Sequence, residues 1–163
     1  MSSTAIGHVG FDIQGLSQAI AQCVAVDGLS CRLSPLNWDI LATYMYPFAL
    51  NSGQVLIEQG AHDRTLYFIE SGTLSVHYED ENARVRMALV GAGTVLGEGA
   101  FFSHQSRSAT VHASSPCKLW CLTPVRFLEL ANRHTSVALE LTLAMSSVMA
   151  KRLYNRVKRV AVT

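Results

Sequence analysis

The chain has 163 residues, 49% of them hydrophobic and only 15% charged, with a formal net charge of +1. That length fits one domain with a sizeable core, and the low charge excludes a disordered chain or one that coats nucleic acid. No apolar run approaches the ~18 residues of a membrane span, and no early positive charge precedes an apolar run as a secretory leader requires, so the chain reads as cytoplasmic with no membrane partner.

Residues 1–10 are small and polar and read as loose. From 11 to 26 a helical rhythm runs through Ile13, Leu16, Ile20 and Val24, ended by Asp27-Gly28. Ser34-Pro35 is a helix start, a hydroxyl N-cap with proline in the first turn. That helix is expected through Trp38, Leu41, Ala42 and Met45, with Pro47 stopping it. Short β-type runs then follow at 54–58, 65–71, 73–78, 84–90, 94–96, 107–113 and 117–122, punctuated by Gly60, Gly72, Gly91 and Gly93. Many short strands with no intervening helix predict a sandwich or barrel rather than a parallel sheet.

Helices return at Thr123-Pro124, first a short one ending near His134, then a long one from Val137 to about Val160. The long helix carries two apolar stripes. Leu139, Leu143, Ala150, Leu153, Val157 and Val160 form one; Leu141, Met145 and Val148 lie nearly opposite. A helix with two apolar faces has two things to cover, its own barrel and a partner helix, which predicts a homodimer through residues 137–160. Cys23, Cys31, Cys117 and Cys121 form no C-x-x-C and no zinc-like spacing, so they read as structural and no metal or cofactor is expected.

The chemistry concentrates in residues 95–113, V-L-G-E-G-A-F-F-S-H-Q-S-R-S-A-T-V-H-A. Glycines at 97 and 99 let backbone come close to a ligand, and the N–H groups of a first helical turn from Glu98 to Phe101 would point at an anion. Arg107 adds a planar fork that fits a phosphate bidentately, and Glu98 can only accept, which suits a hydroxyl. One carboxylate and one guanidinium can thus meet over a small pocket. A ligand with both a phosphate and a sugar hydroxyl is a nucleotide.

Two stretches carry a family resemblance: S-G-Q-V-L-I-E-Q-G-A-H-D-R-T-L-Y-F-I-E-S-G-T-L-S-V at 52–76 and G-E-G-A-F-F-S-H-Q-S-R-S-A-T-V at 97–111. Over about residues 36–160 the chain resembles cyclic-nucleotide-binding domains. Gly53, Gly60 and Gly72 match that family's structural glycines, and the second stretch looks like its phosphate-binding cassette. The resemblance implies a mainly β fold with flanking helices (α+β): an eight-stranded β-roll, or jelly roll, with N-terminal helices and a long C-terminal helix. It divides the chain into an N-terminal helical extension, 1–33, and a cyclic-nucleotide-binding roll with its lid and dimerisation helix, 34–163. It implies that Glu98 holds the ribose 2′-hydroxyl and Arg107 the cyclic phosphate. Ser108, Ala109 and the backbone of Gly97, Glu98, Gly99 and Ala100 would complete the anion cradle. Leu96 stands where that family often has Phe, Gly99 where it has a bulky apolar residue, and Ser106 where it often has Pro.

The end of the chain is similar to the catabolite-activator type of regulator. M-A-K-R-L at 149–153 matches the helix that lids the nucleotide, Arg152 matches a pocket arginine, and the adenine-reading threonine of that family falls on Arg156. Nothing in the chain reads as a DNA-recognition helix, so no DNA-binding domain is expected in it. Lys151, Arg152, Arg156, Lys158 and Arg159 read as a solvated helix end whose cations complement the dipole; contact with an acidic partner or a nucleotide is the sharper alternative.

The resulting expectation is a stand-alone cyclic nucleotide sensor, not an enzyme. Its ligand is cyclic AMP, with cyclic GMP the other candidate, and it signals through an unknown downstream protein. No Ser/His/Asp or Cys/His arrangement has supporting context, and a pocket that ties Glu98 and Arg107 to the ligand leaves no general base. Two alternatives stay open: the same fold binding cyclic di-GMP, or a roll that has lost ligand response and acts as a dimeric adaptor.

Overall fold

Local punctuation sets the helix starts. The computed structural model describes residues 10–160. Helix α1 (Ile13–Gln22) begins at Asp12, whose side chain accepts from the Gln14 N–H, and buries Ile13, Leu16 and Ile20. It stops at Cys23 rather than near residue 26, and Val24 is 98% exposed instead of continuing the apolar face. The cause lies just beyond. The Gly28 N–H bonds Ala25 O in a tight turn, and the Leu29 N–H bonds Gly93 O, which pulls the chain off the helix axis.

Helix α2 (Pro35–Ala42) starts on the Ser34 hydroxyl with proline in its first turn, as the spacing predicts. It ends at Ala42, capped by Thr43 and short of Met45, and residues 43–45 turn directly into strand β1 (Tyr46–Leu50). Pro47, expected only as a helix stop, lies inside this strand. β1 pairs with β8 alone at the edge of its sheet, where a residue without an N–H is tolerated.

The other strands are β2 (Val55–Ile57), β3 (Leu66–Ser71), β4 (Thr73–Glu79), β5 (Val85–Gly91), β6 (Val95–Leu96), β7 (Thr110–Ala113) and β8 (Cys117–Leu122). They form two four-stranded antiparallel sheets, ordered β1-β8-β3-β6 and β2-β7-β4-β5. Eight strands in two sheets with flanking helices make the expected β-roll. β7 starts at Thr110, not 107, because the Arg107 backbone pairs with Gly60 and Ala61 instead of continuing the ladder.

β3 and β8 are buried on both faces. Phe68 and Trp120 point toward the helices and share a core with Leu16, Leu41, Leu141 and Met145. Ile69 and Leu119 point into the roll, against Leu74 and Val111 of the second sheet. Two-sided burial explains the buried Cys117 and Cys121 as small core residues; burial pushes the Cys121 thiol up to about 12, which keeps it protonated and inert.

Helix α3 (Glu98–Ser103) follows β6, and α4 (Pro124–Arg133) starts on Thr123. Helix α5 (Thr135–Val160) has the two faces its stripes predict: Leu141, Met145 and Val148 are fully buried, while Leu139, Leu143 and Leu153 are more than half exposed. The side chains of Val157 and Val160 in the outer stripe, and of Lys158 and Arg159, lie outside the described residues, as does the loose start expected before residue 10. Among the described residues no helix is long and apolar enough to cross a membrane.

Gly53 and Gly72 test the turn geometry. Both have left-handed φ, +87° and +93°. A Cβ on Gly53 would meet nothing within 4 Å, whereas one on Gly72 would fall 2.4 Å from Pro116 O and 2.6 Å from Cys117 Sγ. Gly53→Ala should therefore cost about 1–2 kcal/mol of left-handed strain, and Gly72→Ala distinctly more, because backbone must move. Denaturant melts of the two variants check the ranking; equal losses would contradict the packing at Gly72.

Candidate functional site

The β6–α3 junction turns on Gly97, which caps α3 at φ +87°. A Cβ there would lie 2.5 Å from Arg107 Nη1 and 2.7 Å from Thr65 O. The close approach that glycine permits is thus to the protein's own guanidinium and carbonyl. The Phe101 N–H bonds Gly97 O at 3.1 Å to close the first turn, and the N–H groups of Glu98, Gly99 and Ala100 have no preceding turn to bond. Ala100 and Phe101 are buried, and Phe101 meets Phe127 of α4 edge to face at 5.3 Å, which fixes the short helix to the core. Gly99 is exposed, with open space where a side chain would stand.

Arg107 is 3% exposed. Its guanidinium is gripped on one edge by Asp63, with Nε donating to Oδ2 at 3.2 Å and Nη2 donating to Oδ1. Nη2 also donates to Thr65 O at 2.8 Å and Nη1 to Gly97 O at 3.3 Å. Four of the five N–H donors of an arginine are therefore used, leaving one on Nη1, beside the start of α3. The bidentate edge that the sequence suggests for a phosphate is taken by Asp63. The hydrogen bonds from Arg107 hold the Asp63 carboxyl below the usual carboxylate range, against the opposing effect of burial. Asp63 carries no local signal in the sequence. Only the rule that a buried guanidinium needs an anionic partner points to it.

Glu98 does not bond Arg107. Its Oε1 accepts from Arg152 Nη1, across from α5. Arg152 also donates through Nε to Asp27 Oδ2 at 2.8 Å and through Nη2 to Val95 O at 2.9 Å. Burial opposes the Arg152 charge, but the facing Glu98 and Asp27 carboxylates outweigh it and raise the guanidinium's pKa. This residue of the basic helix end is thus a partly buried, triply bonded clamp rather than a solvated charge. Glu98 Oε2 has no bond among the described residues. The Glu98 side chain is 15% exposed.

The remaining expected residues lie around this pair. Ser108 is exposed and Ala109 half-buried just before β7, and Arg156 is exposed one helical turn beyond Arg152. Among the described residues no group of three His, Cys, Asp or Glu is placed to hold a metal ion. Two open hollows, of about 510 and 380 Å³, lie along α1 and the α1–α2 linker rather than at the cassette. Within the cassette, Arg107 pairs with Asp63 and Glu98 with Arg152. The cassette can hold an anion between Nη1 of Arg107 and the α3 N–H groups, and a hydroxyl on Oε2 of Glu98.

Residues 47–134 match the family model of the cyclic nucleotide-binding domain. The chain is similar to the cAMP-dependent protein kinase type II regulatory subunit of Drosophila melanogaster, 35% identical over 74 residues, which is 45% of this chain and 20% of that protein. It is similar to the cAMP-activated global transcriptional regulator CRP of Salmonella typhimurium, 30% identical over 120 residues, 72% of this chain and 54% of that protein. The chain therefore spans about half, or less, of the length of these curated relatives. A cyclic nucleotide-binding domain from Methylobacillus flagellatus superposes with a TM-score of 0.80 at 19% identity, over 91% of this chain and 82% of that one, which shows the shared fold.

The lowered Asp63 pKa makes a pH prediction. A carboxylate with a depressed folded pKa contributes stability that is fully present above its unfolded value, about 3.9, and is lost as pH falls through the folded one. Denaturation of wild type and Asp63→Asn between pH 6 and pH 3 should show wild type more stable at pH 6 and the gap closing at the acid end. A gap independent of pH would mean that the Asp63–Arg107 pair does not form in solution.

Proposed function

Because residues 47–134 match its family model, the chain belongs to the cyclic nucleotide-binding domain family, and we propose that it senses a cyclic mononucleotide, cyclic AMP first among them. The observation that carries this reading is the bracketing of one short helix start by a buried cation and a partly exposed carboxylate acceptor. Arg107 Nη1 stands at Gly97, and Glu98 follows immediately, held by Arg152. A cyclic phosphate takes the remaining Nη1 donor and the N–H groups of Glu98, Gly99 and Ala100, with Ser108 and Ala109 alongside. The ribose 2′-hydroxyl donates to Glu98 Oε2. Burial of the Arg107 guanidinium strengthens its contact with the phosphate. The two relatives whose names carry cAMP support cyclic AMP as the ligand.

These roles are those of a regulatory binding domain, not a catalyst, because both charged groups are committed to holding the ligand. We assign the binding unit to residues 34–163 with 1–33 as a helical extension. Its output goes to a protein partner in the cytoplasm, a compartment that suits four free cysteines. Arg156, exposed beyond Arg152 on α5, is assigned to the base. Its donors suit guanine O6 or a ring nitrogen better than the adenine amino group, so the preference for cyclic AMP over cyclic GMP should be less than about tenfold, under 1.4 kcal/mol. The exposed Leu139, Leu143 and Leu153 on α5 support a homodimer through residues 137–160.

Calorimetry with cyclic AMP, cyclic GMP and cyclic di-GMP tests the ligand. Arg107→Ala should lose about 2–5 kcal/mol of binding, at about 1.4 kcal/mol per decade, with a circular dichroism spectrum still that of the roll. Near-equal dissociation constants for wild type and variant would remove Arg107 from the phosphate. Cyclic di-GMP as the tighter ligand would favour a wider site, for which the open space at Gly99 leaves room.

Light scattering tests the dimer. Wild type should be dimeric at tens of micromolar, where a ~1 μM complex is mostly formed, and Leu143→Asp should be monomeric with an unchanged far-ultraviolet spectrum. A monomeric wild type would rule the α5 interface out.

A further inference from the structure

We infer that Asp27, in the linker between α1 and α2, is a positioning residue for the ribose-binding carboxylate: it orients Arg152, and Arg152 orients Glu98. The inference rests on the reading of Glu98 as the acceptor of the ribose hydroxyl. The geometry is a three-point clamp. Each nitrogen of the Arg152 guanidinium has its own acceptor: Nε has Asp27 at 2.8 Å, Nη2 has Val95 O at 2.9 Å, and Nη1 has Glu98. The planar group is thereby fixed in rotation and in tilt. Glu98 Oε1 is fixed in turn, which leaves Oε2 as the accessible acceptor.

Asp27 can do this because its own backbone is immobilised. Gly28 beside it is buried, and a Cβ there would fall 2.7 Å from Cys23 Sγ. The Gly28 N–H bonds Ala25 O at 3.0 Å and the Leu29 N–H bonds Gly93 O at 2.9 Å, which ties the linker to the turn between β5 and β6. Leu29 is 3% exposed. Arg152 has a long flexible stem and lies near the end of a helix. Without Asp27 it keeps only Val95 O and Glu98, and its plane can rotate about that pair. The carboxylate it holds then loses its fixed direction. Outer partners of this kind act by orienting the group that touches the ligand.

The arrangement also joins three parts of the chain. Asp27 belongs to the N-terminal segment, Glu98 to the cassette and Arg152 to α5. A ligand that draws on Glu98 therefore changes a charge cluster shared by all three. Asp27 acts through Arg152 and makes no contact with the nucleotide.

The test compares wild type, Asp27→Asn and Asp27→Glu by calorimetry against cyclic AMP and cyclic GMP and against their 2′-deoxy forms. Asp27→Asn should weaken the ribose forms by about tenfold, on the scale of the lower end of the loss when the outer partner of a metal ligand is removed. It should change the 2′-deoxy forms by less than about twofold, because they have no hydroxyl for Glu98 to receive. Asp27→Glu should recover part of the affinity. In the protein without nucleotide, amide exchange in residues 148–156 should quicken in Asp27→Asn. Equal losses on ribose and deoxyribose ligands, or tighter binding by Asp27→Asn, would overturn the positioning role while leaving the nucleotide reading intact. Unchanged amide exchange would overturn the tether itself. A wild type that binds none of these nucleotides would overturn the reading of Glu98 and this inference with it.

Discussion

Burying the Arg107 guanidinium is the constraint that organises the rest. A cation that is 3% exposed costs several kcal/mol to desolvate unless its donors are met. Meeting them draws together segments far apart in sequence: Asp63 and Thr65 ahead of β3, and Gly97 at the start of α3. The backbone of the same residue does the same work. The Arg107 N–H bonds Ala61 O at 2.7 Å, and the Gly60 N–H bonds Arg107 O at 2.8 Å. One buried side chain therefore dictates a glycine at 97, where any Cβ would collide with it, and a fixed path for the loop from 60 to 65.

A second, partly buried guanidinium stands on the other side of the cassette. Arg152 comes from α5, and its acceptors come from the N-terminal linker, β6 and α3. Asp63, Asp27 and Glu98 are thus distributed over two arginines, and each arginine is also held by a backbone carbonyl or two. Such pairs add little net stability once desolvation is counted, but they fix direction. On the proposed reading the groups that would meet a phosphate and a hydroxyl are held before the ligand arrives, so little ordering is left for it to supply.

The two-sided burial of β3 and β8 makes these placements rigid. α1, α2 and α5 all pack on one face of that sheet, through Leu16, Leu41, Leu141 and Met145, while the second sheet covers the other face. α5 cannot shift along the sheet without disturbing the same core that seats α1 and the linker after it. The carboxylate of Asp27 and the guanidinium of Arg152 are in register for that reason, although neither element is in the cassette. The outer face of α5, with Leu139, Leu143 and Leu153 in solvent, is the part of the helix that this core leaves uncovered.

Local features were legible in the sequence by itself, because their cause is local. The Ser34 and Thr123 caps, the turn glycines and the two faces of α5 follow from residue type and spacing, which predicted a sandwich or barrel of short strands; the eight-stranded roll and the cassette from Gly97 to Arg107 were what the family resemblance implied. β1 was not legible: Pro47 looks like a helix stop, and it is an edge-strand residue only because of the strand order. The overlong first helix failed likewise, since Val24 continues the apolar period and only the bonds at Gly28 and Leu29 pull the chain away. The partners of the site residues were decided by tertiary structure alone. Asp63 is 44 residues from Arg107, Glu98 is 54 from Arg152, and Asp27 is 125 from Arg152. A carboxylate in a loop has no periodicity and no cap to betray it, so which guanidinium it meets is settled by how the helices and sheets pack.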